Sequence, residues 1–322
     1  MVDLVEAFYR VLRPLALGTS FCDEEIAKTA ARLNMPTDIL HQLQQHLVDE
    51  SAVQQAGMPE PAQRVLRAIH LDTFFQVPGQ QDICRTTAGS RPGDSFADVV
   101  FTFLFARVLK VFQHTLEEHG LQELIGVDSC FDPFGRMIRE ADTTEVYSGP
   151  VWMDDLCVTI QAESAAAAVR KAGVVSSLLL DTLTEHAMTP NLRKGKTELL
   201  FALRGPGVRK LKTQHFGPTS PGTLTIIAEH DTHQVSIVGE YVHLGGVLHH
   251  SGDHRKEMRR RVAMAHQTFN AHRRTIFQNR CLSLHKRVQL FQSLVLSRLL
   301  YGSESWFLRD HRNPSASCIH RS

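Results

Sequence analysis

The run Val151-Trp152-Met153-Asp154-Asp155-Leu156-Cys157-Val158 places two adjacent carboxylates inside an otherwise apolar stretch. Carboxylates in such a setting are costly unless they are solvated or bound to a cation. On a regular strand neighbouring side chains point to opposite faces, but at a tight turn both carboxylates can converge. Asp is also common in turns for local reasons, so a solvated Asp-Asp turn is the plainer alternative. A third carboxylate, Asp3, lies in the short apolar stretch Val2-Asp3-Leu4-Val5. Carboxylates from two separate strands can hold a pair of divalent ions about 3.5–4 Å apart, the arrangement that drives nucleotidyl transfer. One ion activates the attacking hydroxyl and the other neutralises the leaving group. Oxygen-only ligands select hard Mg²⁺, with Mn²⁺ as the alternative.

A second chemical feature is positive charge. Between His254 and Arg287 lie Arg255, Lys256, Arg259, Arg260, Arg261, Arg273, Arg274, Arg280, Lys286 and Arg287, against the single acid Glu257. Such helices can track the phosphates of a duplex, with a marked salt dependence. A solvated helix face or a localisation-type patch is the alternative. Leu284, Val288, Phe291, Val295 and Leu299 recur at helical spacing and read as core.

The elements that must position these groups suit a mixed fold. Val2 to Val5 reads as the end of a buried strand, and Glu6 to Leu12 as a helix stopped by Arg13-Pro14. Helical patterns follow over residues 23–34, from Thr37 or Asp38 to about Glu50, and from Pro59 to His70. Residues 73–77 and 82–87 read as paired strands around Pro78-Gly79. A Gly/Pro loop over 88–94 leads into an apolar helix from Ser95 to about His119. Val151 to Met153 and Leu156 to Ile160 flank Asp154-Asp155 as a hairpin, followed by a helix from Ala162 to His186 and a strand from Thr197 to Leu203. Residues 205–223 read as a linker, 223–227, 234–238 and 241–248 as short strands, and 255–300 as basic helix.

The chain has 322 residues, is 43% hydrophobic and carries a formal charge of +1, enough for one large domain or two ordinary ones. The near-neutral balance argues against a histone-like or tail-type nucleic-acid binder but permits a basic groove offset by acids elsewhere. Cysteines at 22, 84, 130, 157, 281 and 318 form no CxxC pair, which argues against a disulfide framework and a zinc ribbon. The start MVDLVEAFYR is not a signal peptide, and no 18-residue apolar run occurs. The expected location is therefore intracellular, nuclear or cytoplasmic, away from a membrane.

Taken in order, these segments resemble a known family. VDLVEAFYRVL resembles the first palm motif of reverse transcriptases, a hydrophobic strand ending in Asp and followed by Ala-Phe. GSRPGDSFADVVFTFLF is similar to the motif read as Arg-Gln-Gly-Asp-Pro-Leu-Ser-Pro, VWMDDL to the Tyr-x-Asp-Asp box, and NLRKGKTELL to the later Asn-x-x-Lys-Thr-Glu motif. YVHLGGVL is similar to the Tyr-x-x-Leu-Gly strand, and residues 259–306 to the thumb of non-LTR retrotransposon polymerases. Pro92 stands where the family has Gln, Ser95-Phe96-Ala97-Asp98 where it has Pro-Leu-Ser-Pro, and Trp152 where it has Tyr.

The resemblance implies an α+β fold: a polymerase palm with a split βαβ, RRM-like antiparallel sheet, then a helical thumb. Residues 1–240 would form the palm, with a partial fingers insertion at about 18–88, and 241–322 the thumb. It implies Asp3, Asp154 and Asp155 as ligands of two Mg²⁺ ions, with the Leu4 carbonyl beside them. Phe8 falls at the position whose ring excludes a 2′-hydroxyl, with an ordinary core Phe as the alternative. Arg91, Pro92 and Gly93 match the loop that touches incoming nucleotide and template. Lys196 matches a lysine near the triphosphate, against the alternative of a solvated loop charge. Arg255, Lys256, Arg259, Arg260, Arg273 and Arg274 would contact nucleic acid. The implied activity is RNA-directed DNA polymerisation with dNTPs on a primed RNA or DNA template; no protein partner is implied. Family members carry fingers upstream of the residue matched by Asp3, so the chain reads as N-terminally shortened. Whether it is an enzyme stays open against a non-catalytic nucleic-acid-binding remnant. A nucleotide cyclase or primase has no place for the loop at 89–95 or the Leu-Gly-Gly strand.

Overall fold

In the computed structural model the described residues are 1–19, 22–33, 37–86, 88–90, 96–126, 130–131, 137–139, 144–147, 149, 151–217, 220–229, 231–303 and 306. They form an α+β protein that divides into two compact units. The first comprises Met1–Leu124, Val146–Leu199 and Leu203–Ile237; the second comprises Ile125–Glu145, Leu200–Ala202 and Val238–Ser322. The main division falls at 237/238, and the second unit also takes 125–145 and 200–202, which the sequence reading grouped with residues 1–240.

The helices of the first unit are α1 (Arg13–Leu17), α2 (Asp23–Leu33), α3 (Thr37–Val48), α4 (Ala52–Gln55), α5 (Glu60–His70), α6 (Ala97–Glu118), α7 (Ala165–Glu185) and α8 (Val208–Phe216). The expected helix over Glu6–Leu12 is absent: residues 5–10 form turns, and helix begins at Arg13. Pro14 was read as a stop, yet it occupies the first turn, where its fixed φ favours initiation and its missing N–H is not needed. The expected linker at 205–223 contains α8, a polar helix whose sparse apolar residues leave no periodic signal.

α6 is the centre of this unit. Val100, Phe101, Leu104, Phe105, Val108 and Phe112 are buried, each contributing roughly 1.5–3 kcal/mol. By length and composition α6 could cross a bilayer, but its apolar face packs in the core with α1, α4 and α7. α7 starts at Ser164, whose side chain accepts the Ala167 N–H at 3.2 Å, and presents Val175, Leu179 and Leu183 to the same core.

His186, the residue that closes α7, is 1% exposed, and burial together with the neighbouring His46 lowers its pKa to about 3. Between an unfolded value near 6.5 and the folded value, the unfolded chain binds one more proton than the native state. Stability therefore falls as pH drops through that window, by on the order of 3 kcal/mol at pH 4. Thermal melts from pH 7 to 4 in EDTA should show this decline in the wild type and a shallower one in His186→Gln; parallel curves would refute it.

In the second unit, Glu240–His243 and Gly246–His249 pair as a hairpin whose turn residues, Leu244 (φ 47) and Gly245 (φ 78), are both left-handed. The expected single strand over 241–248 is thus two strands, and Leu-Gly forms a primed turn that matches strand twist. Helices α9 (Arg255–His272), α10 (Leu284–Phe291) and α11 (Ser297–Leu300) follow, so the expected continuous helix is interrupted over 278–283 and restarts at Ser283, which caps α10. Phe269, Phe277 and Phe291 cluster with ring centroids 5.1–6.3 Å apart.

Candidate active site

The N-terminal segment runs extended between two partners in the first unit. On one side Val2 exchanges both backbone hydrogen bonds with Leu156, at 2.8 and 3.1 Å. On the other, Val5 donates to Thr189 and Asn191 donates to Asp3, while Met1 and Glu198 exchange bonds at 3.2 and 3.1 Å. Hydrogen bonding therefore continues from Val151–Trp152 through Asp155–Leu156 and the N-terminal segment to Glu198–Leu200. That strand edges a sheet with Thr232–Val238 in the middle and Thr223–Ile227 beyond.

Val2, Leu4 and Leu156 are buried. Period-two alternation then turns Asp3 and Asp155 to the opposite face. With Val2 paired to Leu156, the next residues along the antiparallel pair are Asp3 and Asp155, with Cα atoms about 4.5–5.5 Å apart and side chains on one face. The same alternation turns the Leu4 carbonyl toward the hairpin, because the bonds to Thr189 and Asn191 are made by Val5 and Asp3.

Asp154 sits in the hairpin turn. Trp152 pairs with Asp155, which leaves Met153 and Asp154 as the two turn residues, and Met153 takes φ 56. A left-handed φ at an unbranched non-glycine residue is uncommon and strained, a condition found often at functional sites. The strands are shorter than expected, Val151–Trp152 and Asp155–Leu156, so Asp155 belongs to a strand and only Asp154 to the turn. Before the hairpin, Gly149 (φ 80) passes so near Cys157 that a Cβ would lie 1.9 Å from its carbonyl oxygen. Any side chain there would displace the hairpin.

The carboxylates feel one another. Partial burial, then the charges of Asp155 and Asp3, raise the Asp154 pKa, while a backbone hydrogen bond and Lys196 act in the opposite direction. Asp3 is engaged on both oxygens: Lys196 Nζ lies 3.2 Å from Oδ1, and Asn191 Nδ2 donates to Oδ2 at 2.9 Å. Thr197 Oγ1 accepts the Asp3 N–H and donates to its carbonyl, each at 3.2 Å. Asn191 and Thr197 were not singled out from sequence. Both lie in the quoted NLRKGKTELL run, and that was the available signal. The three aspartates are not among the groups whose ligand atoms all lie within 4.8 Å; among the described residues that condition is met by His46, Glu185 and His186.

Raising the Asp154 pKa makes its charge unfavourable in the fold. A folded pKa above the unfolded one means stability declines as pH rises through that interval. Asp154→Asn should therefore melt slightly higher at pH 7, by under about 1 kcal/mol because the group is partly solvated. A lower melting temperature in calorimetry would contradict this.

Phe8 lies in the turn after Val5, half-buried, with its ring centroid 4.7 Å from that of Phe101. Its carbonyl accepts the Ser90 N–H at 2.8 Å, tying it to the segment that precedes the expected nucleotide-contact loop. Arg91, Pro92 and Gly93 lie outside the described residues.

In the second unit the expected nucleic-acid contacts divide. Arg255 pairs with Asp253 and Lys256 with Glu240 at 2.6 Å, and Arg260 reaches the Gly245 carbonyl and Glu257. Arg261 is buried, bonded to Glu257 and the Gly245 carbonyl, and stacked 4.3 Å from the Tyr301 ring centroid. It braces the hairpin against α9. Burial would raise the Glu257 pKa, but the hydrogen bonds from Arg261 and Val247 and the charges of Arg261 and Arg260 bring it below the usual value. Arg259, Arg273 and Arg274 are exposed. No protein-family model, curated protein or solved structure matches this chain.

Proposed function

We propose that this chain is a template-directed nucleotidyl transferase of the reverse-transcriptase kind, its first unit acting as a polymerase palm and the helices of its second as a thumb. The observation that carries the reading is the Val2–Leu156 bridge, whose continuation by strand alternation sets Asp3 across from Asp155 on the face opposite the core, with Asp154 at the adjoining strained turn. By donor type the residues suit a pair of Mg²⁺ ions, although the three carboxylates would have to draw closer than they stand to share them. Three carboxylates and the Leu4 carbonyl are hard oxygen donors, and a cation would offset the burial, and secondarily the neighbouring Asp155 and Asp3 charges, that raise the Asp154 pKa. When bound, such ions activate a primer hydroxyl and neutralise the departing pyrophosphate.

This chain's own residues supply orientation. Asn191 and Thr197 fix Asp3, and Lys196, 3.2 Å from Asp3, is a cation at the carboxylate edge where it would meet a triphosphate. Arg259, Arg273 and Arg274 supply phosphate contacts to the template duplex. A second reading, duplex binding without catalysis, is favoured by the occupation of both Asp3 oxygens by protein groups.

Primer extension on RNA and DNA templates with dNTPs and Mg²⁺, beside Asp154→Asn, tests the choice. Extension by the wild type that is lost in the variant supports the polymerase. No extension, with duplex binding that persists in the variant and in EDTA, supports the binding protein.

A further inference from the structure

We propose that His46, Glu185 and His186 form a binding site for one divalent transition-metal ion, Zn²⁺ in the first instance, joining α3 to the C-terminal end of α7. One ligand atom from each residue lies within 4.8 Å of the others. No part of the nucleotidyl-transfer reading uses these residues, and neither proposal depends on the other.

The two imidazoles are arranged as metal ligands are. The His186 ring is buried and its Nδ1 lies 2.8 Å from the Thr182 carbonyl, an acceptor that can be satisfied only by an N–H. The proton is thereby assigned to Nδ1, and a neutral ring then carries a lone pair on Nε2. That Nε2 is buried and has no hydrogen-bond partner. A buried orphaned acceptor is unfavourable unless something binds it. His46 Nδ1 lies 3.8 Å from Asp49 Oδ2, too far for a hydrogen bond, and its Nε2 lies 4.0 Å from Glu185 Oε2. An outer carbonyl hydrogen bond, as at His186, is a usual means of fixing a ligand histidine's tautomer.

The two rings stack with centroids 4.4 Å apart, which keeps them side by side at the end of α7. The negative end of the α7 dipole favours a cation there. Arg107 is the opposing charge; it is held by the Glu50 and His46 carbonyls and by Asp49, 3.5 Å away. Two nitrogens and one carboxylate oxygen match a three-ligand zinc set with a fourth position for water. Tetrahedral bonds of about 2.0–2.1 Å require ligand atoms about 3.3 Å apart. The 4.0 Å separation of His46 and Glu185 closes to that by small side-chain rotations of two partly exposed groups.

The test is metal content and Co²⁺ absorption of the full chain after chelator stripping and reloading. One equivalent of Zn²⁺ or Co²⁺ should bind, with tetrahedral Co²⁺ bands and a higher melting temperature. His46→Gln and Glu185→Gln, both at partly solvated positions, should keep the apo melting profile and weaken Zn²⁺ by at least about 100-fold. Asp154→Asn should leave Zn²⁺ binding unchanged. Less than stoichiometric uptake by the wild type, or uptake indifferent to both glutamine variants, would overturn the proposal.

Discussion

Under the proposed polymerase reading, Asp3→Asn is expected to reduce Mg²⁺-dependent primer extension by about a thousand-fold or more, the scale on which loss of a key charge-stabilising group acts. The reason lies in position. By extension of the Val2–Leu156 bridge Asp3 comes opposite Asp155, so under the polymerase reading it is the carboxylate contributed by a second segment, and two-ion coordination cannot be completed from one hairpin. The variant retains the shape of the side chain, and the Asn191 and Thr197 contacts that orient the segment can be kept. A circular-dichroism melt within about 1 kcal/mol of the wild type should therefore accompany the lost activity. Asp3→Glu separates charge from reach: it keeps the negative charge but moves the oxygens by one methylene, and partial activity in Mn²⁺ is the expected result. Full activity in Asp3→Asn, measured by single-turnover extension, would remove Asp3 from the chemistry.

Arg13→Met is expected to cost about 3–5 kcal/mol, read as a lower urea midpoint. Arg13 is 5% exposed and its guanidinium reaches six acceptor atoms: the carbonyls of His70, Thr86, Ala88 and Gly89, and the hydroxyls of Thr73 and Thr86. Each lies within 2.8–3.1 Å. A thioether makes none of these bonds, so several buried oxygens lose their donor, each at about 1–3 kcal/mol before relaxation. The same bonds hold Thr86, Ala88 and Gly89 against α1 and the end of α5, with Gly89 also donating to Val11. Arg13→Lys should fall between, since an ammonium has three donors on a single point where the guanidinium has five in a plane. A midpoint shift equivalent to under 1 kcal/mol for Arg13→Met would show that the network is dispensable.

The long helices were legible because packing and periodicity agree. α6 and α7 carry apolar residues at every turn and bury them. The hairpin at 151–156 was legible because two carboxylates interrupt an apolar run. What the sequence concealed depends on long-range pairing or on backbone conformation. Nothing local marks Arg13 as buried, because its acceptors come from segments 57–76 residues away. Pro14 is compatible with either a stop or a start, and only its neighbours decide. Leu244 at φ 47 is outside the turn chemistry that Gly and Asn advertise. His46 and His186 carry no motif, because one lies on α3 and the other closes α7. Asp3 was legible as a carboxylate on a second apolar stretch, but its pairing opposite Asp155 rests on a long-range bridge that nothing local marks.

The interleaved course of the N-terminal segment has a consequence for how the chain acquires its shape. Met1 to Val5 bond to residues 156 and 189–198, so their partners leave the ribosome about 10–40 s after they do, at about 5–20 residues per second. Until then a strand with two open edges waits without a sheet. The hairpin and α9 of the second unit, by contrast, close through neighbours 3–16 residues apart. Loop closure is entropically cheap for the latter and slow for the former. The carboxylate face is therefore completed only once residues up to 198 have emerged, later than the locally closed contacts of the second unit can form after their own synthesis.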